Sequence, residues 1–150
     1  MEPLEFTERL RGVLSDAREE ASRLHQEHVG TEHLLFSLLA DAEREGAGAR
    51  EFSHARGVLD RLGVDRQKLR QVLDETVLPG RAELPKEQLA YTSRARAVLE
   101  MAISEARVLK ADAVSTEHLL LGLIREERGI AAQVLLDFGV TAEKVRAQLR

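Results

Sequence analysis

The 150-residue sequence contains no cysteine, no tryptophan and only three prolines. Without cysteine the chain cannot form disulfides, thiolate metal sites or a cysteine nucleophile. Aromatic residues make up 3% of the chain, which leaves too few rings for the stacking platforms that bind single-stranded nucleic acids. The formal net charge of -4 also argues against broad nucleic-acid binding. We therefore expect no nucleic-acid partner.

The sequence also lacks an apolar run long enough to span a bilayer and a basic-then-apolar leader at its N-terminus. We expect no membrane partner and a cytoplasmic location, which agrees with the absence of disulfides. No segment alternates with the strand period, whereas long proline-free stretches are rich in Ala, Leu, Glu and Arg. The sequence therefore predicts an all-α globular domain.

An internal duplication organises the chain. Residues 6–39 align with residues 91–124 without a gap, and the match is both apolar and polar. It includes the pentapeptide Thr-Glu-His-Leu-Leu, which occurs at 31–35 and again at 116–120. A match of this length predicts two homologous structural repeats.

The duplication also predicts the domain layout. The alignment resumes beyond residue 54 at a shorter spacing, so the first copy carries an insert near 42–54. We expect a single domain over 1–150. Within it we predict repeat one over 5–76, a linker over 77–90 that holds the remaining Pro and Gly signals, and repeat two over 91–150.

The sequence of each repeat predicts four helices. The predicted helix-start and helix-end residues fall in equivalent pairs: Thr7 and Thr92, Thr31 and Thr116, Gly63 and Gly139, Asp65 and Thr141. Apolar residues recur with the helical period behind them. We predict eight helices in two tandem four-helix repeats, related by pseudo-two-fold symmetry and packed through their apolar faces.

Sequence motifs for catalysis are absent. The chain has no phosphate-binding Gly-x-x-x-x-Gly-Lys-Ser/Thr loop, no Gly-x-Ser-x-Gly elbow and no His-Glu-x-x-His zinc helix. Glu51 and His54 have the spacing of half a di-iron site, but no partner copy exists. His25 and His28 could share a face with Glu32, although a surface role is favoured. We predict no metal, no cofactor and no enzymatic activity.

Thr-Glu-His-Leu-Leu at the start of each second helix has two interpretations. In the structural one, Thr satisfies orphan backbone N–H groups, Glu complements the helix dipole, and His and the leucines pack or hydrogen-bond inside the fold. In the functional one, Glu32 and Glu117 stand beside exposed N–H donors that suit an anion. The carboxylate could then bind a guanidinium next to that anion. Both interpretations stay open for the two glutamates.

At these residues the sequence resembles the double Clp-N (Clp repeat) domain. The resemblance is carried by Phe-Thr-x-Arg, Val-Gly-Thr-Glu-His-Leu-Leu, the second copy Ser-Thr-Glu-His-Leu-Leu-Leu-Gly-Leu-Ile-Arg-Glu, and Gly-Ile-Ala-Ala-Gln-Val-Leu. It covers roughly residues 5–150. That domain precedes the ATPase modules of ClpC, ClpA and related Hsp100 unfoldases. The resemblance implies two four-helix repeats and no catalysis in the domain itself.

The resemblance also implies partners and site residues. The family receives substrate proteins and adaptor proteins for an ATP-driven unfoldase that works with the ClpP peptidase. ClpC-type members also recognise proteins marked by phosphorylated arginine. The implied site residues are Glu32 with Thr7 in one pocket, and Glu117 with Thr92 in the other.

The sequence departs from the family pattern at several points. Ser115 replaces the usual Gly before the second Thr-Glu-His, and residues 36–38 read Phe-Ser-Leu instead of Leu-Gly-Leu. The insert replaces the usual Arg-Glu-Gly-x-Gly-Ile-Ala turn of the family. We therefore expect the second pocket to be the better preserved. The alternatives are a stand-alone Clp-N protein that regulates or competes with a Clp ATPase, a purely structural helical dimer, and a helical metal or hydrolytic enzyme. A chain that ends soon after the second repeat suits an excised domain or a complete small protein.

Overall fold

The computed structural model describes residues 3–44 and 54–149. Within these ranges the chain forms eight α-helices, four in each repeat. Those of repeat one are α1 (Glu8–Arg23), α2 (Thr31–Glu43), α3 (His54–Arg61) and α4 (Arg66–Thr76). Those of repeat two are α5 (Ser93–Val108), α6 (Thr116–Arg125), α7 (Ile130–Asp137) and α8 (Ala142–Leu149). The predicted all-α fold with eight helices is confirmed.

Local sequence signals determine where most helices begin and end. Thr7 Oγ1 accepts from the backbone N–H of Leu10 at 3.1 Å, and Thr92 Oγ1 accepts from Ala95 at the same distance. Both threonines therefore cap their helices, as predicted. The predicted glycine stops after α3 and α7 are also present, each with a φ of +75°, a conformation that favours glycine.

One buried apolar cluster takes side chains from both repeats. Six of its twelve largest fully buried side chains stand in equivalent positions: Leu34 and Leu119, Leu35 and Leu120, Leu38 and Leu123. Burying each such leucine contributes about 1.5–3 kcal/mol, and a single four-helix repeat would leave part of this surface in water. The repeats therefore stabilise each other through a common core.

Reciprocal backbone bonds join the repeats near the helix starts. Thr7 donates its backbone N–H to Val114 O, and Thr92 donates its own to Val29 O, both at 2.9 Å. Two-residue strands flank one junction, where β1 (His28–Val29) pairs in parallel with β2 (Ala90–Tyr91). Periodicity could not predict them, because two residues are too few to show alternation. Each repeat thus begins its first helix against the other repeat.

The connecting segment packs along repeat one. It contains a short 3-10 helix (Lys86–Gln88), and its Lys86 Nζ lies 2.7 Å from Glu19 Oε1 on α1. Gly80 donates its backbone N–H to Leu24 O at 2.8 Å. A side chain at Gly80 would collide with the backbone, because a Cβ there would lie 2.2 Å from His25 O. The connection is therefore held in place against the end of α1.

Two further sequence expectations concern the insert and the membrane. The insert predicted near 42–54 lies largely outside the described residues, which omit 45–53. None of the helices within 3–44 and 54–149 combines the length and the apolar character that crossing a bilayer requires.

Candidate functional site

A cavity of about 440 Å³ lies where the two repeats meet. The residues that line it come from three separate stretches of the chain: Gly30, Thr31, Glu32, Thr92, Ser93, Arg94, Gly129 and Ile130. The first stretch belongs to repeat one and the other two belong to repeat two. We call this cavity site one. Because both repeats supply its walls, site one exists only when they are packed together.

Three helices begin at site one. α2 starts at Thr31, α5 at Ser93 and α7 at Ile130. Backbone N–H groups of a first turn have no partner inside their own helix, and the helix dipole adds a partial positive charge at that end. Three such ends around one cavity favour an anion with several oxygen atoms.

Glu32 carries the one carboxylate among the residues lining this cavity, and its side chain is 20% exposed. The carboxylate rests against the backbone of Gly30. A Cβ built on Gly30 would lie only 1.8 Å from Glu32 Oε1, so this arrangement requires glycine. Site one thus places an acceptor for a cation beside donors for an anion.

Arg94 adds a positive charge at the rim of site one. Its side chain is 58% exposed, and its Nε lies 3.7 Å from Glu126 Oε1. The other oxygen of Glu126 accepts from the backbone N–H of Gly129 at 2.6 Å, which fixes the start of α7. Arg94 was not predicted as a site residue. The Tyr-Thr-x-Arg motif was the available signal, since it puts an arginine in the first turn of α5.

The structure corrects the predicted pairing of threonines with glutamates. Thr92, not Thr7, lines the same cavity as Glu32. The reason is that the backbone bonds cross between the repeats. Thr92 is bound to Val29, three residues before Glu32, and Thr7 is bound to Val114. A pairing taken within each repeat was wrong because each first helix begins against the opposite repeat.

Thr31 and Thr116 also act across the repeats. As predicted, α2 and α6 begin at these threonines, but the threonines do not cap their own helices, because the N-cap positions are the preceding residues. Thr31 Oγ1 accepts from the backbone N–H of Ala131 at 3.4 Å, at the start of α7. Thr116 Oγ1 accepts from Ala55 at 3.3 Å, at the start of α3. Each threonine therefore holds the third helix of the other repeat.

His33 and His118 have the structural role that the sequence suggested. The Nδ1 of His33 accepts from the backbone N–H of Gly30 at 2.9 Å, and His118 accepts from Ser115 at the same distance. Burial lowers the pKa of both imidazoles, although the neighbouring glutamate carboxylates oppose this effect. The two histidines are therefore neutral acceptors that close the starts of α2 and α6.

The equivalent place in the other half of the molecule, which we call site two, contains Glu117 and His54. Thr7 belongs to it by position, since its backbone N–H is bound to Val114 O, three residues before Glu117. Glu117 is more enclosed than Glu32, with a side chain 11% exposed. His54 Nδ1 lies 3.3 Å from Glu117 Oε2. Glu117 Oε1 is buried and accepts no hydrogen bond from the described part of the chain. Site two therefore holds a buried carboxylate oxygen without a donor.

A second cavity, of about 380 Å³, adjoins site one on the other side of Glu32. His25 and His28, both exposed, contribute to its walls. No group of three or more His, Cys, Asp or Glu side chains suited to a metal ion occurs within residues 3–44 and 54–149. The Glu51 half of the di-iron spacing lies outside the described residues.

The chain is similar to a known protein family. A family model for the Clp repeat (R) N-terminal domain matches residues 5–138. The chain is 42% identical over 144 residues to the negative regulator of genetic competence ClpC/MecB of Bacillus subtilis, and 41% identical to the chaperone protein ClpB of Oceanobacillus iheyensis. Each alignment covers 96% of this chain and 16% of the relative, so the chain spans about a sixth of these relatives' length.

The fold is similar to solved structures as well. The crystal structure of the Hsp104 N-terminal domain from Candida albicans matches with a TM-score of 0.75 at 15% sequence identity. The superposition covers 97% of this chain and 89% of that one. At this identity the match speaks for the fold alone, and it agrees with two packed helical repeats.

Proposed function

The chain belongs to the Clp repeat (R) N-terminal domain family, and from this premise we propose that it receives proteins for an ATP-driven Clp unfoldase. In this proposal residues 1–150 act as one cytoplasmic domain that binds and does not catalyse. Its partners are substrate proteins, adaptor proteins and the Clp ATPase with its ClpP peptidase. The family match and the interrepeat cavity support a binding role.

The proposed ligand is phosphorylated arginine on a substrate protein. The duplication provides two pockets to test for this ligand: site one, with Glu32 and Thr92, and site two, with Glu117 and Thr7. One observation carries the proposal: three helix N-termini and a single lining carboxylate converge on the cavity of site one. Phosphoarginine presents the matching pair of groups, an anionic phosphoryl next to a guanidinium that donates several hydrogen bonds.

Each group of the ligand has a complementary partner in site one. The phosphoryl oxygens suit the first-turn N–H groups, the Arg94 guanidinium and the Thr92 hydroxyl. Thr92 Oγ1 already accepts from Ala95, so its own proton is left to be donated. The ligand's guanidinium suits the Glu32 carboxylate. When both groups bind together, neither the helix starts nor Glu32 is left without a group of opposite charge.

This arrangement predicts discrimination between related side chains. Phosphoserine would bring an anion to the helix starts and leave Glu32 facing that anion without a cation between them. Unmodified arginine would satisfy Glu32 and leave the three helix starts without an anion. Buried or half-buried groups left without partners weaken binding. We expect phosphoarginine to bind more tightly than either.

Isothermal titration calorimetry with a phosphoarginine peptide tests the proposal. We expect binding to the wild-type chain and loss of about 1.5–3 kcal/mol per functional pocket when the glutamate is removed, so Glu32→Ala with Glu117→Ala should bind poorly. Glu100→Ala is the matched control, because Glu100 is an exposed glutamate on the outer face of α5. Circular dichroism checks that the variants fold. Unchanged affinity in the double variant contradicts the pocket assignment.

A competition experiment tests the proposed place in the Clp system. If the chain captures arginine-phosphorylated proteins, an excess of it should slow their degradation by a ClpC–ClpP complex with ATP. The double glutamate variant should not compete. Equal inhibition by the wild-type chain and the variant would indicate contact with the ATPase rather than with the substrate, as expected for a stand-alone regulator.

A further inference from the structure

Two residue exchanges distinguish the pockets that the duplication made equivalent. The residue before Thr-Glu-His is Gly30 at site one and Ser115 at site two. The first residue of the third helix is Ile130 at site one and His54 at site two. Both exchanges lie next to the site glutamate, and together they change what that carboxylate touches.

The first exchange closes the position that the carboxylate takes at site one. At site one Glu32 Oε1 occupies the space over Gly30, where a Cβ would lie 1.8 Å away. No unbonded oxygen can approach a carbon that closely. Ser115 has its Cβ in the equivalent space, so the Glu117 carboxylate cannot take the position that Glu32 holds.

The second exchange supplies a partner for the Glu117 carboxylate. His54 Nδ1 lies 3.3 Å from Glu117 Oε2, whereas the Ile130 side chain has no polar group to offer Glu32. The enclosure of Glu117 agrees with this difference, since its side chain is 11% exposed against 20% for Glu32.

We propose that Ser115 and His54 block the ligand from binding at site two, and that site one is the pocket that binds phosphorylated arginine. The inference rests on the proposed function for its ligand. His54 takes the place of the ligand's guanidinium on Glu117, and Ser115 removes the carboxylate position that this guanidinium needs. The chain therefore binds one ligand with useful affinity instead of two. Sequence motifs alone had favoured site two.

Calorimetry with a phosphoarginine peptide measures this inequality. We expect one bound peptide per chain, and a loss of affinity for Glu32→Ala that exceeds the loss for Glu117→Ala about tenfold or more. Combining Ser115→Gly with His54→Ile should create a second binding event. These substitutions install the residues that site one already uses, so the fold should tolerate them. Two equal sites in the wild-type chain, or equal losses in the two alanine variants, overturn the inference.

A ligand-free measurement separates this inference from the proposed function. The carboxyl carbon signals of Glu32 and Glu117 can be followed by NMR in the wild-type chain and in His54→Ala. We expect the Glu117 signal to move and the Glu32 signal to stay. His28→Ala, which removes an exposed histidine elsewhere, should leave Glu117 unmoved.

The two experiments fail in different ways. If no variant binds phosphoarginine, the proposed function fails, and the NMR comparison still decides whether His54 engages Glu117. If the ligand binds but His54→Ala does not move the Glu117 signal, the inference about site two is overturned and the proposed function stands. If one peptide binds per chain and the Glu117 signal moves, both are supported.

Discussion

The two repeats place the equivalent acidic residue of their first helix in different surroundings. In repeat two, Glu105 on α5 is buried, with Arg146 Nη2 at 2.5 Å and Arg125 Nη1 at 3.3 Å from its Oε1. In repeat one the equivalent acid is Glu20, which pairs instead with the exposed Arg23 on its own helix. The same position on the fold is thus a buried ion cluster in one copy and a surface pair in the other.

One missing arginine explains much of this difference. Ala40 stands where repeat two has Arg125, so α2 carries no guanidinium that could reach Glu20 from that position. Glu20, Ala40 and Arg70 instead line an open cavity of about 370 Å³. Arg70 is the equivalent of Arg146. Duplicated backbones therefore keep their helix starts and core while the charged clusters between helices diverge.

The largest expected effect is the loss of the ion cluster in repeat two. We expect Glu105→Ala to destabilise the fold by about 2–3 kcal/mol, because two arginines lose their shared partner. The cost stays below the roughly 3–5 kcal/mol of a fully buried pair, since both arginines are about a third exposed. Glu20→Ala should cost under about 0.5 kcal/mol. Urea unfolding measures both, and equal costs would remove the contrast between the repeats.

The next effect concerns a feature that the repeats share. Burial lowers the pKa of His33 and His118, so the unfolded chain binds protons more readily than the folded one as the pH falls below the usual histidine range. The stability that the two neutral histidines contribute is therefore present above about pH 6.5. It declines on acidification, and the free energy of unfolding falls by at most about 1.4 kcal/mol per pH unit for each histidine.

Glutamine substitutions test this pH effect repeat by repeat. A glutamine at the third helical position can still accept from the N-cap N–H and does not titrate. We expect His33→Gln and His118→Gln each to flatten part of the decline between pH 7 and pH 5, measured as urea midpoints. An unchanged decline in the double variant would show that other groups cause it.

The smallest expected effect tests whether Glu32 is coupled to the threonine of the other repeat. A double-mutant cycle of Glu32→Ala with Thr92→Ala, read as phosphoarginine affinity, should show a coupling of about 0.5–1 kcal/mol. The cycle of Glu32→Ala with Thr7→Ala should show almost none. Thr7→Ala is a matched control, because both threonines cap a helix and each loss of a cap should cost about 1 kcal/mol of stability. Stronger coupling with Thr7 would restore pairing within one repeat.

Sequence signals were sufficient where the physics is local. A threonine oxygen that caps α1 or α5 acts on an N–H group three residues away, and Gly63 and Gly139 end their helices through their own backbone conformation. Apolar periodicity then identified the buried face of each helix. These features depend on neighbours in the chain, so one sequence was enough to predict them.

The candidate site was harder to predict, because its contacts join residues that are far apart in sequence. The pairing of Glu32 with Thr92, the bonds from Thr31 and Thr116 to opposite third helices, and the rim position of Arg94 all cross between repeats. Two matching halves can be packed in more than one way, and the sequence pattern is the same for each.

The sequence by itself determined that this protein is a duplicated helical chain with an acidic residue at two equivalent helix starts. Local hydrogen bonding and the helical period carry that information. Only the tertiary structure decided that each pocket is shared by both repeats, and that His54 and Ser115 give Glu117 surroundings different from those of Glu32. Those outcomes depend on atoms brought within a few ångströms by packing.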